Sequence, residues 1–193
     1  MQLPSPQLVQ YYKDENNRII FLSKDIDESL YDEYKLILRW NREDEDNGIN
    51  IKDRKPIKIF CHSYGGDLLS CFAFLDLMEL SKTPIYTINC SVCYSAAALI
   101  FINGHKRFSM PMSTILLHSG SGSNGGQYEA VVAQTENYKK LVGLMHDNIL
   151  KHSKISKQTL TKNSKKEWYI YSKEAKEKYG LTDVIVSDIS EIL

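Results

Sequence analysis

The chain has 193 residues, of which 24 are Lys or Arg and 24 are Asp or Glu, so its formal net charge is zero. This length corresponds to one compact domain, and a composition of 42% hydrophobic and 25% charged residues excludes a disordered tail or a fibre. A neutral chain also lacks the surplus of Lys and Arg that nucleic-acid binding requires, so we expect no nucleic-acid partner.

The beginning of the chain predicts a polar arm, one strand and one helix. Residues 1–17 are polar and predict an arm that is mobile unless it docks. Residues 18–22 predict a short apolar strand, and residues 25–40 carry apolar side chains three and four positions apart, which predicts a helix. The acidic segment 43–48 predicts a solvated loop and indicates a binding patch only weakly.

Two strand–turn–helix units follow, and this rhythm is typical of a parallel α/β sheet. Their strands are residues 57–61 and 85–89, and their helices are residues 68–80 and 96–102. A third strand, residues 114–117, runs directly into a histidine. In such a sheet the loops after the strands gather at one edge, so side chains from distant turns can meet there.

The last part of the chain is predominantly helical. A glycine- and serine-rich segment, 119–126, precedes a long amphipathic helix over residues 127–150. After the lysine-rich run 151–166, the pattern predicts a short helix at 172–179 and a last strand at 184–186.

Three turns carry residues that could do chemistry. Gly65 and Gly66 leave backbone N–H groups open to a ligand, and Ser95 begins a helix whose free N–H groups favour a developing oxyanion. His118 follows a strand and can accept a proton near neutral pH. Each feature alone is more often structural, as a turn, a helix cap or a hydrogen-bonded histidine. Together they supply a hydroxyl, a base and oxyanion donors, the requirements of nucleophilic catalysis.

Around these three turns the chain resembles ClpP, the family of proteolytic subunits of the Clp proteases, within the ClpP/crotonase group. The matching segments are 18–22, 61–66 (CHSYGG), 91–97 (SVCYSAA), 106–118 and 175–183. The resemblance implies that Ser95 is the nucleophile and His118 the base, with the N–H groups of Gly66 and Ala96 as oxyanion donors.

The third member of the catalytic triad departs from the family pattern. The family has an aspartate four residues before the serine or threonine that opens the C-terminal helix, and counting back from Ser172 gives Trp168. The adjacent Glu167 would reach His118 if the segment 167–171 contained a one-residue bulge, and a solvated charge is an equally good interpretation. We interpret Asp183, which matches another family position, as structural.

The resemblance also implies an architecture and partners. We expect an α/β fold of repeated β-β-α units with a parallel sheet, in which residues 18–193 form a single protease domain and residues 119–150 a protruding handle helix. The implied function is a serine endopeptidase acting on peptides or unfolded polypeptides. It would work inside a heptameric ring or double ring with an AAA+ unfoldase partner. Two alternatives remain: a weak or inactive ring subunit, favoured by Trp168, and a crotonase-like acyl-CoA enzyme.

The sequence also predicts where the protein works. No apolar run reaches the roughly 18–20 residues of a membrane span, and residues 1–6 lack the pattern of a secretory signal. We therefore expect a soluble, cytoplasmic protein with no membrane partner and with four cysteine thiols. Cys90 and Cys93 form a Cys-x-x-Cys that could be half of a zinc site or a redox pair, but their apolar setting favours small hydrophobic side chains, and we expect no metal or cofactor.

Overall fold

The computed structural model describes residues 4–193, which form a seven-stranded sheet in an α/β fold. The strand order is β1-β2-β3-β4-β7, and β5 pairs with both β3 and β6. Neighbouring strands are parallel except for the antiparallel pair β5 and β6. The strands are β1 Ile19–Leu22, β2 Ile57–Ser63, β3 Ile85–Tyr94, β4 Lys106–Ser109, β5 Thr114–Leu117, β6 Trp168–Tyr171 and β7 Val184–Ile185.

Seven α-helices accompany this sheet within residues 4–193. They are α1 Pro6–Asn16, α2 Tyr31–Asp46, α3 Leu68–Leu80, α4 Ala96–Ile102, α5 Tyr128–Lys151, α6 Lys157–Asn163 and α7 Ser172–Glu174, the last continuing into a wide turn, Ala175–Tyr179. All seven residues of α4 are buried, which explains its alanine-rich, uncharged sequence. The main core forms where α2, α3 and α4 pack on β1, β2 and β3. The predicted α/β class and parallel sheet are confirmed.

The acidic segment after the first long helix differs from its prediction. Residues 43–46 belong to the last turn of α2, and Asp44 is 1% exposed. Its carboxylate accepts hydrogen bonds from the guanidinium of Arg18 at 2.7 and 2.8 Å and from the hydroxyl of Thr83 at 2.7 Å. Burial alone would raise the pKa of Asp44, but these hydrogen bonds and the charge of Arg18 hold it below its usual value. A buried ion pair therefore extends the helix through a segment that composition alone assigns to a loop.

Most of the described part of the predicted N-terminal arm is helical, over Pro6–Asn16. Ser5 caps α1 by accepting a hydrogen bond from the Leu8 N–H at 3.2 Å, and Pro6 occupies the first turn, where it costs no hydrogen bond. Glu15 near the end of this helix pairs with Arg39 of α2 at 2.7 Å. Residues 1–3 of the predicted arm lie outside the described residues.

The long helix α5 divides into two parts with different surroundings. Met145 and Ile149, near its C-terminal end, are buried in the core, whereas Tyr128 and Val132 near its start are exposed. The first part of α5 therefore exposes apolar side chains, and its role as a protruding handle stays a prediction. Among the described residues, no helix is long and apolar enough to cross a membrane.

Candidate active site

Ser95 lies on a sharp turn between the end of β3 and the start of α4. Its backbone angles are φ 54° and ψ −123°, a conformation that residues with a side chain rarely adopt. The Ser95 N–H donates to the carbonyl of Leu116 at 2.9 Å, and the Ser95 carbonyl accepts from the N–H groups of Ala98 and Leu99 at 3.0 and 3.3 Å. Strand β5 and helix α4 thus hold the strained turn and present the hydroxyl outward.

Strand β5 also positions the imidazole of His118 beside the Ser95 hydroxyl. Because β5 pairs with β3 and Tyr94 is opposite Leu116, the residue that follows β5 arrives beside Ser95. The distance between His118 Nε2 and Ser95 Oγ is 2.7 Å, a hydrogen bond. When Nδ1 carries the imidazole proton, Nε2 accepts the hydroxyl proton, the arrangement needed to activate a serine.

The glycine turn after β2 packs directly against Ser95. A Cβ atom on Gly65, whose φ is 101°, would lie 2.8 Å from the Cβ of Ser95 and 2.6 Å from the carbonyl oxygen of Tyr94. Such approaches are too close for any side chain, so only glycine fits. Ile26 anchors the turn, because its N–H donates to the Gly65 carbonyl at 2.9 Å and its carbonyl accepts from the Asp67 N–H at 2.6 Å.

Two amide N–H groups beside the serine turn are the candidate oxyanion donors. Gly66 follows the contact residue Gly65, and Ala96 follows Ser95 as the first residue of α4. Within residues 4–193, neither amide donates a hydrogen bond. The structure therefore brings together four of the residues named from the sequence: Ser95, His118, Gly66 and Ala96.

Glu167 and Trp168 do not join this group. Strand β6 pairs with β5 without a bulge, Leu117 being opposite Trp168 and Leu116 opposite Tyr169. The Trp168 ring packs edge-on against Tyr179 with 5.0 Å between centroids, in contact with the core. The exposed Glu167 carboxylate accepts a hydrogen bond from the Tyr169 hydroxyl at 2.6 Å, and among the described residues the His118 ring hydrogen-bonds only to Ser95.

Asp183 makes hydrogen bonds that connect two parts of the fold, and it lies outside the group around Ser95. Its carboxylate accepts hydrogen bonds from the Arg107 guanidinium at 2.6 and 3.0 Å and from the Arg107 N–H at 2.8 Å, joining the segment before β7 to β4. Sequence reasoning named Gly65 only as part of the glycine turn and did not predict its contact with Ser95, which requires a glycine. The double glycine was the available signal, but it does not reveal which glycine faces the serine.

All four cysteines are free thiols, and Cys90 is exposed rather than in the apolar setting expected for it. Cys61, Cys71 and Cys93 are buried, and burial raises the pKa of the Cys71 and Cys93 thiols above the usual value. Buried thiols with raised pKa values are poor nucleophiles. No group of three or more metal-ligating side chains occurs within residues 4–193.

Comparison with known proteins identifies the family of this chain. The family model described as Clp protease matches residues 7–188. An ATP-dependent Clp protease proteolytic subunit of Dehalococcoides mccartyi is 27% identical over 172 residues, covering 88% of this chain and 82% of that protein. The subunit of the same description from Chlorella vulgaris is 28% identical over 194 residues, covering 96% of this chain and 90% of that one.

A solved structure shows the same fold. A mutant of ClpP1 from Listeria monocytogenes superposes with a TM-score of 0.80 at 18% sequence identity, covering 95% of this chain and 99% of that one. The fold and the family match define a peptidase, a hydrolase of the α/β class. The chain belongs to the Clp protease family and is a ClpP-type proteolytic subunit.

Proposed function

We propose that this chain is a serine endopeptidase that hydrolyses unfolded polypeptides through an acyl-enzyme, with Ser95 as nucleophile and His118 as base. The observation that carries the proposal is the distance of 2.7 Å between Ser95 Oγ and His118 Nε2. The strained backbone at Ser95 supports it, because such strain persists where the surrounding structure enforces it and is concentrated at functional sites.

The hydrogen bond between Ser95 and His118 is the path of the first proton transfer. His118 Nε2 accepts the Ser95 proton while Oγ bonds to the substrate carbonyl carbon, and the carbonyl electrons move to its oxygen. The N–H groups of Gly66 and Ala96 stabilise that oxyanion. The imidazolium then donates its proton to the leaving amine as the C–N bond breaks, which leaves an ester on Ser95. Water, deprotonated by His118, attacks this ester. The proton then passes from His118 to Ser95 Oγ as the ester bond breaks, which releases the acid and restores the serine.

A weakly active or inactive ring subunit is the second candidate. The observations that favour it are the Glu167–Tyr169 hydrogen bond and the packing of Trp168 on Tyr179, since neither residue contacts His118. Loss of the orienting carboxylate can cost about 10⁴ in rate in a serine protease, while the oxyanion donors preserve some catalysis. The proposed enzyme is accordingly slow. The comparisons name Clp protease subunits, which disfavours the acyl-CoA alternative.

The family match also supports a proposed assembly. We infer that the subunits form a heptameric ring or double ring in which the exposed part of α5 contacts another copy, and that an AAA+ unfoldase delivers substrates to it. Tyr128, Val132 and Leu144 are exposed apolar side chains on this helix. Light scattering should give a mass about seven or fourteen times 22.2 kDa, and a monomer of 22.2 kDa would contradict the chamber. The unpaired cysteines suit the proposed cytoplasmic location.

Labelling by a fluorophosphonate separates the two candidates. The natural chain should react at Ser95 and hydrolyse a fluorogenic peptide, whereas Ser95→Ala should do neither. Ser91→Ala, which removes an exposed hydroxyl from the same strand, is the matched control and should behave like the natural chain. A natural chain that resists the probe would support the inactive subunit, and hydrolysis undiminished in Ser95→Ala would overturn the assignment of the nucleophile.

A further inference from the structure

Three tyrosines form a continuous row beside the candidate active site. The ring centroids of Tyr64 and Tyr94 are 5.6 Å apart at an interplanar angle of 80°, and those of Tyr94 and Tyr169 are 5.7 Å apart at 79°. Both contacts are edge-to-face, a favourable geometry for aromatic rings. The three side chains, Tyr64, Tyr94 and Tyr169, are called the tyrosine row below.

Strand pairing puts two members of the tyrosine row, Tyr94 and Tyr169, on the same face of the sheet as His118. Tyr94 and Tyr169 both pair with Leu116, one on each side, so these side chains share a face. Leu117 points to the opposite face, into the core. His118 follows Leu117, and because side chains alternate along a strand it returns to the face of Leu116.

The row also adjoins the other parts of the site along the chain. Tyr94 directly precedes Ser95, and Tyr64 directly precedes the glycine turn that packs against Ser95. The tyrosine row therefore begins at the residues that border the serine turn and the glycine turn.

Hydrogen bonds hold two of the rings in place. The Tyr94 hydroxyl bonds to Oγ1 of Thr114 at 3.0 Å, and the Tyr169 hydroxyl donates to Glu167 at 2.6 Å. Yet Tyr64 is 65% exposed and Tyr169 is 47% exposed. Large, exposed and pre-positioned aromatic side chains are characteristic of binding surfaces, since little rotamer freedom is lost when a ligand docks.

We propose that the tyrosine row is a substrate subsite that selects polypeptides carrying an aromatic side chain near the bond to be cleaved. An aromatic side chain adds a further edge-to-face contact to the row. Such a contact contributes about 0.5–1.5 kcal/mol beyond the burial of apolar area, which corresponds to roughly two- to twelvefold in affinity. This inference rests on the proposed function, because it takes the substrate to be a peptide bound at Ser95.

Equilibrium binding tests the subsite separately from catalysis. The full-length Ser95→Ala protein is titrated into fluorescein-labelled Gly-Ser peptides that differ at one position, which holds Phe, cyclohexylalanine or Ala, and anisotropy gives each Kd. Cyclohexylalanine matches Phe in size and apolarity but lacks the aromatic ring. The Phe peptide should bind about two- to tenfold more tightly than the cyclohexylalanine peptide. Equal affinities for these two peptides would overturn the proposal.

Variants in the same background identify the responsible rings. Tyr64→Leu and Tyr169→Leu each keep an apolar side chain, and each should reduce the preference for Phe, with no preference left in the double variant. Tyr171→Leu is the matched control, since Tyr171 is 63% exposed, shares a strand with Tyr169 and should leave the preference intact. A preference that survives the double variant, or that Tyr171→Leu also removes, would contradict the assignment to the row.

Failure of the proposed catalysis and failure of the proposed subsite give different results. If the natural chain resists fluorophosphonate while Ser95→Ala still prefers the Phe peptide, the proposed catalysis fails and the subsite stands. If the natural chain hydrolyses peptides but shows no preference for Phe over cyclohexylalanine, the subsite fails and the catalysis stands.

Discussion

The two sides of the candidate active site are built in different ways. On one side, backbone geometry places every group: the turn at Ser95 and the glycine turn beside it lie in contact, and both candidate oxyanion donors are main-chain amides. On the other side, strand β6 should supply a carboxylate to orient His118. There the outcome depends on which side chain faces the imidazole, and the Glu167 carboxylate bonds to Tyr169 instead.

This difference teaches which parts of such a site tolerate sequence change. Main-chain donors survive substitution as long as the turns keep their conformation, so a divergent chain retains them. A side-chain carboxylate is lost by a single substitution or by a change of strand register. The first side should therefore be sensitive to added atoms, and the second to added or removed charge.

The largest effect is expected where a carboxylate is put back at the family position. Trp168→Asp removes a ring that packs on Tyr179 in contact with the core, so we expect a loss of about 3 kcal/mol in unfolding free energy. No gain in peptidase rate should accompany it, because residue 168 shares a face with Leu117 rather than with His118. Chemical denaturation and peptide hydrolysis measure the two quantities.

Trp168→Phe is the control for this change. It keeps an aromatic ring against Tyr179 and should cost less than about 1.5 kcal/mol. If Trp168→Asp hydrolyses peptides faster than the natural chain, position 168 does reach His118. The proposed difference between the two sides of the site is then wrong.

The next effect concerns the backbone side of the site. Gly65→Ala would force a Cβ to within 2.8 Å of the Cβ of Ser95 at a φ of 101°, so the serine turn must move. A displacement of about 1 Å at a reacting group can reduce the rate by about 100-fold, and we expect a loss of this size in kcat/KM and in the rate of fluorophosphonate labelling. Unchanged labelling would show that the glycine turn does not position the nucleophile.

A smaller effect is expected from the exposed carboxylate on β6. Glu167→Gln removes the charge but keeps the shape, and because Glu167 bonds to Tyr169 rather than to His118, the loss in kcat should stay below about tenfold, far from the 10⁴ expected of an orienting carboxylate. Glu177→Gln, at another exposed glutamate, is the control. A loss near 10⁴ confined to Glu167→Gln would identify this residue as the third triad member of the working enzyme.

How well the sequence predicts an element depends on how far apart along the chain its stabilising residues lie. The spans of α3, α4 and β5 are predicted correctly because each is a dense apolar block with polar limits. The extension of α2 through residues 43–46 was missed because it depends on Arg18, a partner far away along the chain. Neither the pairing of β6 with β5 nor helix α6 was predicted, since both are short segments in lysine-rich surroundings.

The same distinction applies to the candidate site. Order along the chain sufficed to single out Ser95, His118 and the turn at Gly65 and Gly66, because parallel strands bring their following turns to one edge. The assignment of the Gly66 and Ala96 N–H groups as oxyanion donors came from the resemblance to ClpP. Order along the chain could not place Glu167, since a shift of one residue in the β5–β6 register exchanges the two faces of the strand. The tyrosine row was also invisible in the sequence, because its members come from three strands or the turns beside them.

The smallest predicted effect contrasts Gly65 with a glycine on the handle. Gly143 lies within α5, and a Cβ there would meet no atom within 4 Å. Gly143→Ala should therefore raise the unfolding free energy by about 0.5–1 kcal/mol, through helix propensity and a less flexible unfolded chain. Thermal melting should show a rise of about 1–4 °C with peptidase activity unchanged. A lower melting temperature, or loss of the assembled form on light scattering, would mean that another copy packs closely against Gly143, and this result would locate the contact surface of the handle.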